Sequence, residues 1–396
     1  MSAEHRMKKE IQNMYLSPIR DISFRASQLA SRGLPVVSFG AGDTVFDTPE
    51  PVKQAAVKAI TENRSHYETI QGNSELRQKI AARYRRNYGL EYGEDEILIT
   101  AAGTESIFDA FLALISPGDE VIVVSPAFIN YENCITLAGG KTVFAPVRES
   151  DGFEPDADMI ESLITAKTRM LVINNPCNPT GAVFSEECVK RLADLAVKYD
   201  LLVFSDEVYD GIIYDGFPYT PIASLPGMKE RTIIANSFSK LLAMTGWRIG
   251  YLAACGGIME SLFKVHHYST ACQPTFIQDA LAETIDLPEV DDALKRMLRI
   301  MDKNRNRVTQ WLKTHSSLSA VEPKGAFYYF IRVSDCNMSG RTFASRLLEE
   351  KYVAVIPGEG LGKDFSDYIR LSYAVDEETL EEGLSRIDCF LDEIVR

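Results

Sequence analysis

The sequence lacks several features that would assign it to other classes of protein. No run of 18 or more apolar residues occurs, so no membrane-spanning helix is predicted. Basic residues are outnumbered, 42 against 56 acidic ones, and the formal net charge of -14 disfavours nucleic acids and anionic membrane surfaces as partners. The first residues, MSAEHRMKKEIQ, lack the apolar core of a secretory signal, which favours a cytoplasmic location.

Cysteine spacing excludes two further classes. The seven cysteines contain no C-x-x-C pair and have no histidine at ligand spacing, so neither a metal site nor a disulfide framework is expected. These residues are Cys134, Cys177, Cys188, Cys255, Cys272, Cys336 and Cys389. The pattern is typical of a reducing compartment.

Two glycine-rich segments resemble nucleotide-binding fingerprints and lack residues that those fingerprints need. Gly40 and Gly42 stand at G-x-G spacing, but Val45 occupies the third glycine position. The segment 358–364 has Pro357 before it where a P-loop needs glycine, and Asp364 replaces the magnesium-binding hydroxyl. Neither a dinucleotide site nor a P-loop is supported.

Hydrophobic patterning predicts an α/β fold with a mainly parallel sheet. Short apolar runs alternate with helical patterns from about residue 50 to about residue 290, as in βαβ units with helices on both faces. The predicted strands are 96–100, 121–125, 170–174, 201–205, 232–236 and 249–253.

The last hundred residues have a different pattern, which predicts a smaller α+β domain. A long amphipathic stretch at 290–315 precedes the strand candidates 326–333, 352–356 and 368–374. We therefore predict three parts: residues 1–47 as an N-terminal arm with part of the small domain, 48–290 as the large domain, and 291–396 as the small domain.

Lys240 is the first candidate for chemistry, in the segment SFSKLLAMTGWRIGY after a predicted strand. Ligands bind at the carboxyl ends of strands in open α/β sheets, and desolvation there lowers the pKa of a lysine enough to make it a nucleophile. Arg248 is a candidate for a nearby cation and phosphate ligand, and Ser237 and Ser239 offer hydroxyls to the same anion. The alternative is a solvated surface lysine.

Asp206 and Tyr209, in the segment SDEVY, follow the predicted strand 201–205. Asp206 is either a helix N-cap or a carboxylate that keeps a pyridinium nitrogen protonated. Asn178, in the proline-rich loop NNPCNPTG, belongs either to a rigid turn or to a site that presents its amide to an acceptor.

Two further positions are candidates for anion binding. Gly103, Thr104 and Glu105 join a strand to a helix, where free N–H groups and the helix dipole favour phosphate. Arg370 interrupts an apolar strand and needs a partner, which is either a ligand carboxylate or an internal Asp or Glu.

Together these motifs resemble the class I/II, fold-type I aminotransferases, especially the bacterial and archaeal aspartate and aromatic amino acid branch. The likeness extends over nearly the whole chain. The matching segments are GAGDTVFDTP, HYETIQGNSELR, SPAFINY, NPTG, SDEVY, SFSK with GWRIG, PKGAFYYF, VIPGEGLG and RLSYA.

The resemblance implies pyridoxal 5'-phosphate (PLP) as cofactor and a role for each matching residue. Lys240 corresponds to the Schiff-base lysine, Asp206 to the partner of the pyridine nitrogen, and Tyr209 and Asn178 to ligands of the ring oxygen. Phe128 corresponds to the stacking aromatic residue and Arg370 to the clamp on the substrate carboxylate, with Gly42 nearby. The implied phosphate ligands are Gly103, Thr104, Glu105, Ser237, Arg248 and, from the other subunit of a homodimer, Tyr67.

The implied activity is ping-pong transfer of an amino group from an L-amino acid, aromatic or acidic, to a 2-oxo acid such as 2-oxoglutarate. The chain departs from the family at residues 42–46, which read G-D-T-V-F where relatives commonly have G-E-P-D-F, and at Glu68 after Tyr67. The alternatives are a lyase or oxidase with the same cofactor, and a non-catalytic regulatory protein.

Overall fold

The computed structural model of the protein describes Ile11, Met14 and residues 18–394. The helices in this part are α1 Pro18–Ser31, α2 Glu50–Thr61, α3 Ser74–Tyr88, α4 Ala102–Leu114, α5 Asn130–Leu137, α6 Ala157–Leu163, α7 Glu186–Lys198, α8 Phe238–Leu241, α9 Gly256–Ser269, α10 Thr275–Thr284, α11 Pro288–Leu312, α12 Gly340–Lys351 and α13 Glu377–Ile394. The strands are β1 Val37–Ser38, β2 Ile97–Thr100, β3 Glu120–Ser125, β4 Lys141–Pro146, β5 Thr168–Asn174, β6 Leu202–Asp206, β7 Thr232–Ser237, β8 Gly250–Ala253, β9 Ser319–Ala320, β10 Tyr328–Arg332, β11 Val353–Ala354, β12 Ile356–Pro357 and β13 Tyr368–Ser372.

The central sheet has the strand order β2-β8-β7-β6-β5-β3-β4 in the described residues. Its strand pairs are parallel, except that β8 runs antiparallel to both β2 and β7. The predicted α/β fold with a mainly parallel sheet is therefore confirmed. The reversed strand β8 was not predicted, because its apolar run looks the same in either direction.

Burial explains why the strand runs are almost uniformly apolar. All residues of β2, β3 and β7 are buried, as expected for strands covered by helices on both faces. The edge strand β4 is the exception, and the sequence prediction missed it. Its side chains are mostly half-exposed or exposed, so it lacks the continuous apolar run that marks its neighbours.

A second sheet, of order β12-β13-β10-β9, is antiparallel and places Phe330 opposite Arg370. The predicted strand at 352–356 is in fact two short strands, β11 and β12, and β11 pairs in parallel with β1. The amphipathic stretch forms α11, which begins with a proline in its first turn and buries one face. The domain limits at residues 47 and 290 stay a prediction.

The direction of the strands places several loops at one edge of the central sheet. Strands β2, β7, β6, β5 and β3 run in the same direction and all end there. The reversed strand β8 begins at this edge, with Gly250. The side chains that follow these strands therefore converge in space although they are far apart in sequence.

Candidate active site

Lys240 lies on the short helix α8, directly after β7, and is half-buried. Its Nζ donates a hydrogen bond to the carbonyl oxygen of Gly42. Burial lowers the pKa of Lys240 to about 8, with Asp43 acting in the opposite direction and the charges of Arg370 and Arg248 lowering it further. A substantial fraction of the amine is therefore neutral near pH 8, so the alternative of an ordinary solvated lysine is wrong.

Asp206 is the last residue of β6, the neighbour of β7, and only 6% of it is exposed. Its Oδ2 accepts from the Tyr131 hydroxyl at 2.5 Å, and its Oδ1 accepts from the Val208 N–H at 3.3 Å. Burial raises its pKa to about 6, against the lowering effect of the Tyr131 hydrogen bond. The buried carboxylate is suited to a cationic N–H partner.

Tyr131 was missed as a site residue by the sequence analysis. It is buried on α5, three residues after Phe128, and the two rings meet edge to face with centroids 6.1 Å apart. Phe128 itself is half-buried. No local pattern identifies it, because Phe128 lies before α5 and only the packing against β6 brings Tyr131 to Asp206.

The turn between β2 and α4 is a candidate phosphate site. Ala102 has a φ of 63°, so the chain turns sharply there. The N–H groups of Gly103 and Thr104 lie in the first turn of α4, where backbone N–H groups have no acceptor within the helix. Gly250 permits this turn to approach β8, since a Cβ there would lie 2.9 Å from the Ala102 Cα. The helix dipole favours an anion at this position.

The start of α8 and the segment before β8 reach the same edge. Ser237 caps α8 by accepting from the Ser239 N–H at 3.1 Å, and its hydroxyl donates to the Ser239 Oγ at 2.8 Å. Arg248 has a φ of 56°, is exposed, and donates to the Thr245 carbonyl at 2.8 Å. Two hydroxyls and one exposed cation are therefore at the edge that carries the α4 turn.

Arg370 is 2% exposed and has neutral partners in the described part of the chain. Its Nη1 donates to the Asn178 Oδ1 at 2.9 Å and its Nη2 to the Gly40 carbonyl at 2.8 Å, while Nε has no partner there. No internal Asp or Glu forms an ion pair with it among these residues, so the internal-partner alternative is wrong. An unpaired buried guanidinium is an attractive site for a carboxylate.

Tyr209 and Tyr328 form a buried hydroxyl pair at 2.9 Å, next to Gly42 and Arg370. The Arg370 guanidinium lies 4.5 Å from the centre of the Tyr328 ring, and a Cβ on Gly42 would lie 3.2 Å from the Tyr328 hydroxyl. Tyr328 belongs to the segment PKGAFYYF but was not predicted as a site residue. Its position opposite Ser372, two residues from Arg370, follows only from the strand pairing.

Two predicted residues are not in this group. Tyr67 is 90% exposed, so within one chain its side chain is not buried among the other candidates. The Glu105 side chain is occupied within the chain, because it accepts from the Ala101 N–H and the Thr270 hydroxyl. If Glu105 contributes to phosphate binding, it does so through its backbone.

The segment that departs from the family pattern borders the site. Asp43 is exposed and its Oδ1 accepts from the Thr44 N–H at 2.8 Å. The side chain of Val45 is also exposed, and its N–H donates to the Ala374 carbonyl at 3.2 Å. The segment is therefore anchored through its backbone close to Lys240.

Comparisons with known proteins agree with this fold. The model of the family "Aminotransferase class I and II" matches residues 35–387. The aromatic-amino-acid aminotransferase 2 of Thermococcus litoralis is 39% identical over 359 residues, which are 90% of this chain and 92% of that protein. The aspartate/prephenate aminotransferase of Thermus thermophilus is 36% identical over 382 residues, 96% and 97% of the two chains.

A solved structure has the same fold. The aspartate aminotransferase of Thermus thermophilus with maleate has a TM-score of 0.91 and 35% identity, covering 96% of this chain and 98% of its own. This chain belongs to the aminotransferase class I and II family, and it is an aminotransferase enzyme. No helix in the described residues is long and apolar enough to cross a membrane.

Proposed function

We propose that the protein is a PLP-dependent aminotransferase in which Lys240 binds the cofactor covalently. The observation that carries the proposal is the half-buried amine of Lys240, with its lowered pKa, at the sheet edge that also bears the buried Asp206 and the turn at the start of α4. An amine nucleophile, a carboxylate for a pyridinium and an anion site together match the three polar parts of PLP.

The residues that hold the cofactor follow from this arrangement. Asp206 would pair with the ring nitrogen, Tyr209 and Asn178 would bind the ring oxygen, and Phe128 would stack on the ring. The phosphate would be held by the N–H groups of Gly103, Thr104 and Glu105, the hydroxyls of Ser237 and Ser239, and Arg248. When bound, PLP supplies an electron sink for the electron pair left on the substrate Cα.

The chain's own groups then move the proton. Arg370 holds the substrate carboxylate through its guanidinium fork, since its partners are neutral and its Nε is unpaired. Once the substrate amine has displaced Lys240 Nζ from the cofactor, the freed and neutral Nζ would accept the proton from the substrate Cα as a general base. The carboxylate of Asp206 would keep a proton on the nitrogen that it faces.

The substrates we propose are an aromatic or acidic L-amino acid and a 2-oxo acid such as 2-oxoglutarate, in a ping-pong cycle. The names of the relatives from Thermococcus and Thermus support this choice. We also propose a homodimer in which the exposed Tyr67 reaches the phosphate of the other subunit. A cytoplasmic location is supported by the free state of all seven cysteines.

Borohydride reduction of the PLP-loaded protein followed by peptide mass spectrometry tests the cofactor link. We expect the added mass on the peptide that contains Lys240 and none in Lys240→Ala, with Lys363→Ala as an unaffected control. A modification elsewhere, or none at all, contradicts the proposal. Supplying each amino acid with 2-oxoglutarate and measuring glutamate against ammonia distinguishes amino transfer from lyase or oxidase activity.

A further inference from the structure

A buried charge cluster lies behind the phosphate-facing turn of α4. It consists of Glu105 and Asp109 from α4 and His266 from α9, of which the last two are 0% exposed and Glu105 is 9% exposed. The His266 Nδ1 lies 3.4 Å from the Glu105 Oε1 and 3.4 Å from the Asp109 Oδ2. Neither Nδ1 nor the Asp109 Oδ2 has a hydrogen-bond partner in the described residues.

The other ring nitrogen determines the tautomer of His266. Its Nε2 lies 3.1 Å from the carbonyl oxygen of Ile70, and since a carbonyl only accepts, Nε2 carries a hydrogen. A neutral ring would then direct the Nδ1 lone pair at two buried carboxylates. That lone pair and the carboxylates would repel one another. A positive charge at Nδ1 replaces this repulsion by attraction.

A proton fits this position better than a metal ion, although the three side chains lie within metal-binding distance of one another. The Glu105 Oε2 already accepts from the Ala101 N–H and from the Gln273 Nε2, and its Oε1 accepts from the hydroxyls of Ser269 and Thr270. These donors occupy the lone pairs that a cation would need. Burial lowers the pKa of His266, but the two carboxylates outweigh it and raise the pKa to about 9.

The cluster joins two segments that serve different phosphate sites of the proposed dimer, the α4 turn in its own subunit and the Tyr67 segment in the other. Glu105 holds the Ala101 N–H at the start of the α4 turn, and His266 holds the Ile70 carbonyl. The segment around Ile70 is also fixed by the Asn73 N–H, which donates to the Gln278 Oε1 at 2.8 Å. This segment carries Tyr67, whose side chain is 90% exposed.

We propose that His266, as an imidazolium, is a positioning residue that fixes the α4 turn, which binds the phosphate in its own subunit, relative to the Tyr67 segment, which reaches the phosphate in the other. The inference rests on the proposed function, because it assumes PLP as the ligand. Two carboxylates face the ring, both from α4, and the Tyr67 segment contributes only the Ile70 carbonyl. From the end of α9 and the residues after it, the hydroxyls of Ser269 and Thr270 and the side-chain amide of Gln273 contact Glu105.

The test compares PLP with pyridoxal, which lacks the phosphate. We expect His266→Gln to weaken binding of PLP about tenfold or more, as for loss of a charged hydrogen-bonded contact, and to change pyridoxal binding less than about twofold. An equal loss for both ligands overturns the inference, because a general structural defect does not depend on the phosphate. If the unsubstituted protein binds no PLP, the proposed function fails instead, so the two failures are distinguishable.

Matched variants guard against misfolding. Asp109→Asn keeps the shape of the cluster and removes one carboxylate, so it is expected to give a smaller loss with the same dependence on phosphate. His315→Gln is the control, because His315 also contacts a carboxylate, Asp388 at 3.1 Å, but belongs to the segment after α11. A phosphate-dependent loss in this control, or none in Asp109→Asn, contradicts the role of the cluster.

The charge state of His266 is measured independently of the cofactor. In ¹⁵N spectra of the apoprotein at pH 7.5, assigned by comparison with His266→Gln, we expect both ring nitrogens of His266 to be protonated. A neutral ring overturns the inference. So does a stoichiometric divalent metal found by elemental analysis and removed by a chelator with loss of PLP affinity.

Discussion

The contact between Arg370 Nη1 and Asn178 Oδ1, 2.9 Å long, joins the central sheet to the four-stranded antiparallel sheet at the candidate active site. Arg370 belongs to β13 of the antiparallel sheet, and Asn178 follows β5 of the central sheet. Because Asn178 is neutral, this contact orients the guanidinium without neutralising it. The charge of Arg370 therefore remains available to a substrate carboxylate.

Replacing Arg370 by lysine tests this arrangement. We expect the KM for the amino acid to rise about 10- to 100-fold, because a point charge does not reproduce the bidentate geometry of the guanidinium. Steady-state kinetics measure the effect. Arg332→Lys is the control, since Arg332 lies on β10 of the same sheet and contacts Glu149 at 3.3 Å. An unchanged KM in the Arg370 variant would show that this residue does not bind the carboxylate.

Replacing Asp206 by asparagine tests the role of the buried carboxylate. We expect the single-turnover rate with an amino acid to fall about 10²- to 10⁴-fold, since an amide does not hold a proton on the ring nitrogen. Tyr131→Phe removes the 2.5 Å hydrogen bond to Asp206 but leaves the charge, so its loss is expected to be smaller. The prediction fails if the asparagine variant, loaded with cofactor, turns over at the normal rate.

The lowered pKa of Lys240 predicts how capture of PLP depends on pH. Only the neutral amine is a nucleophile, so the capture rate of the apoprotein is expected to rise with pH and level off above about 8, the pKa of Lys240. Stopped-flow absorbance measures the rate, with Lys240→Ala as the blank. A rate that keeps rising toward pH 10 would contradict the effect of burial on this amine.

The raised pKa of His266 predicts a pH-dependent stability. The folded-state pKa of about 9 lies above the ordinary 6.5, so protonation of His266 stabilises the fold. This contribution to the free energy of unfolding is complete below pH 6.5 and is lost as the pH rises through 9. Denaturant unfolding is expected to show His266→Gln less stable than the unsubstituted protein by about 1–3 kcal/mol at pH 6 and much less at pH 9.5. A constant difference across this range would contradict the prediction, and His315→Gln is the control for the substitution.

Replacing Gly250 tests the close contact between β8 and the turn at the start of α4. A Cβ there would lie 2.8 Å from the Asn236 carbonyl oxygen and 2.9 Å from the Ala102 Cα, and both are backbone atoms that cannot move independently. Gly250→Ala is expected to lower the free energy of unfolding by about 1–3 kcal/mol and to weaken PLP binding. Gly257→Ala on α9, where nothing lies within 4 Å, should lower neither. Equal behaviour of the two variants would refute the steric argument.

Much of the fold was predictable because central strands are buried on both faces. Their apolar runs made β2, β3, β5, β6 and β7 recognisable, and the motifs that follow these strands identified the candidate residues. The edge strand β4 was missed because half-exposed strands lack such runs. The division of 352–356 into two strands was missed because the apolar run is continuous and does not show where the pairing changes.

The sequence by itself determined the composition of the site: a lysine, an aspartate, an arginine and an anion-binding turn, each after a recognisable strand or within one. The tertiary structure alone decided how they are paired. Tyr131 meets Asp206 across 75 residues and Tyr209 meets Tyr328 across 119, and only the packing of helices and sheets brings such pairs together. The same packing turned Glu105 toward His266 and left Arg370 with neutral partners, because hydrogen bonds in a buried site depend on distance and not on order along the chain.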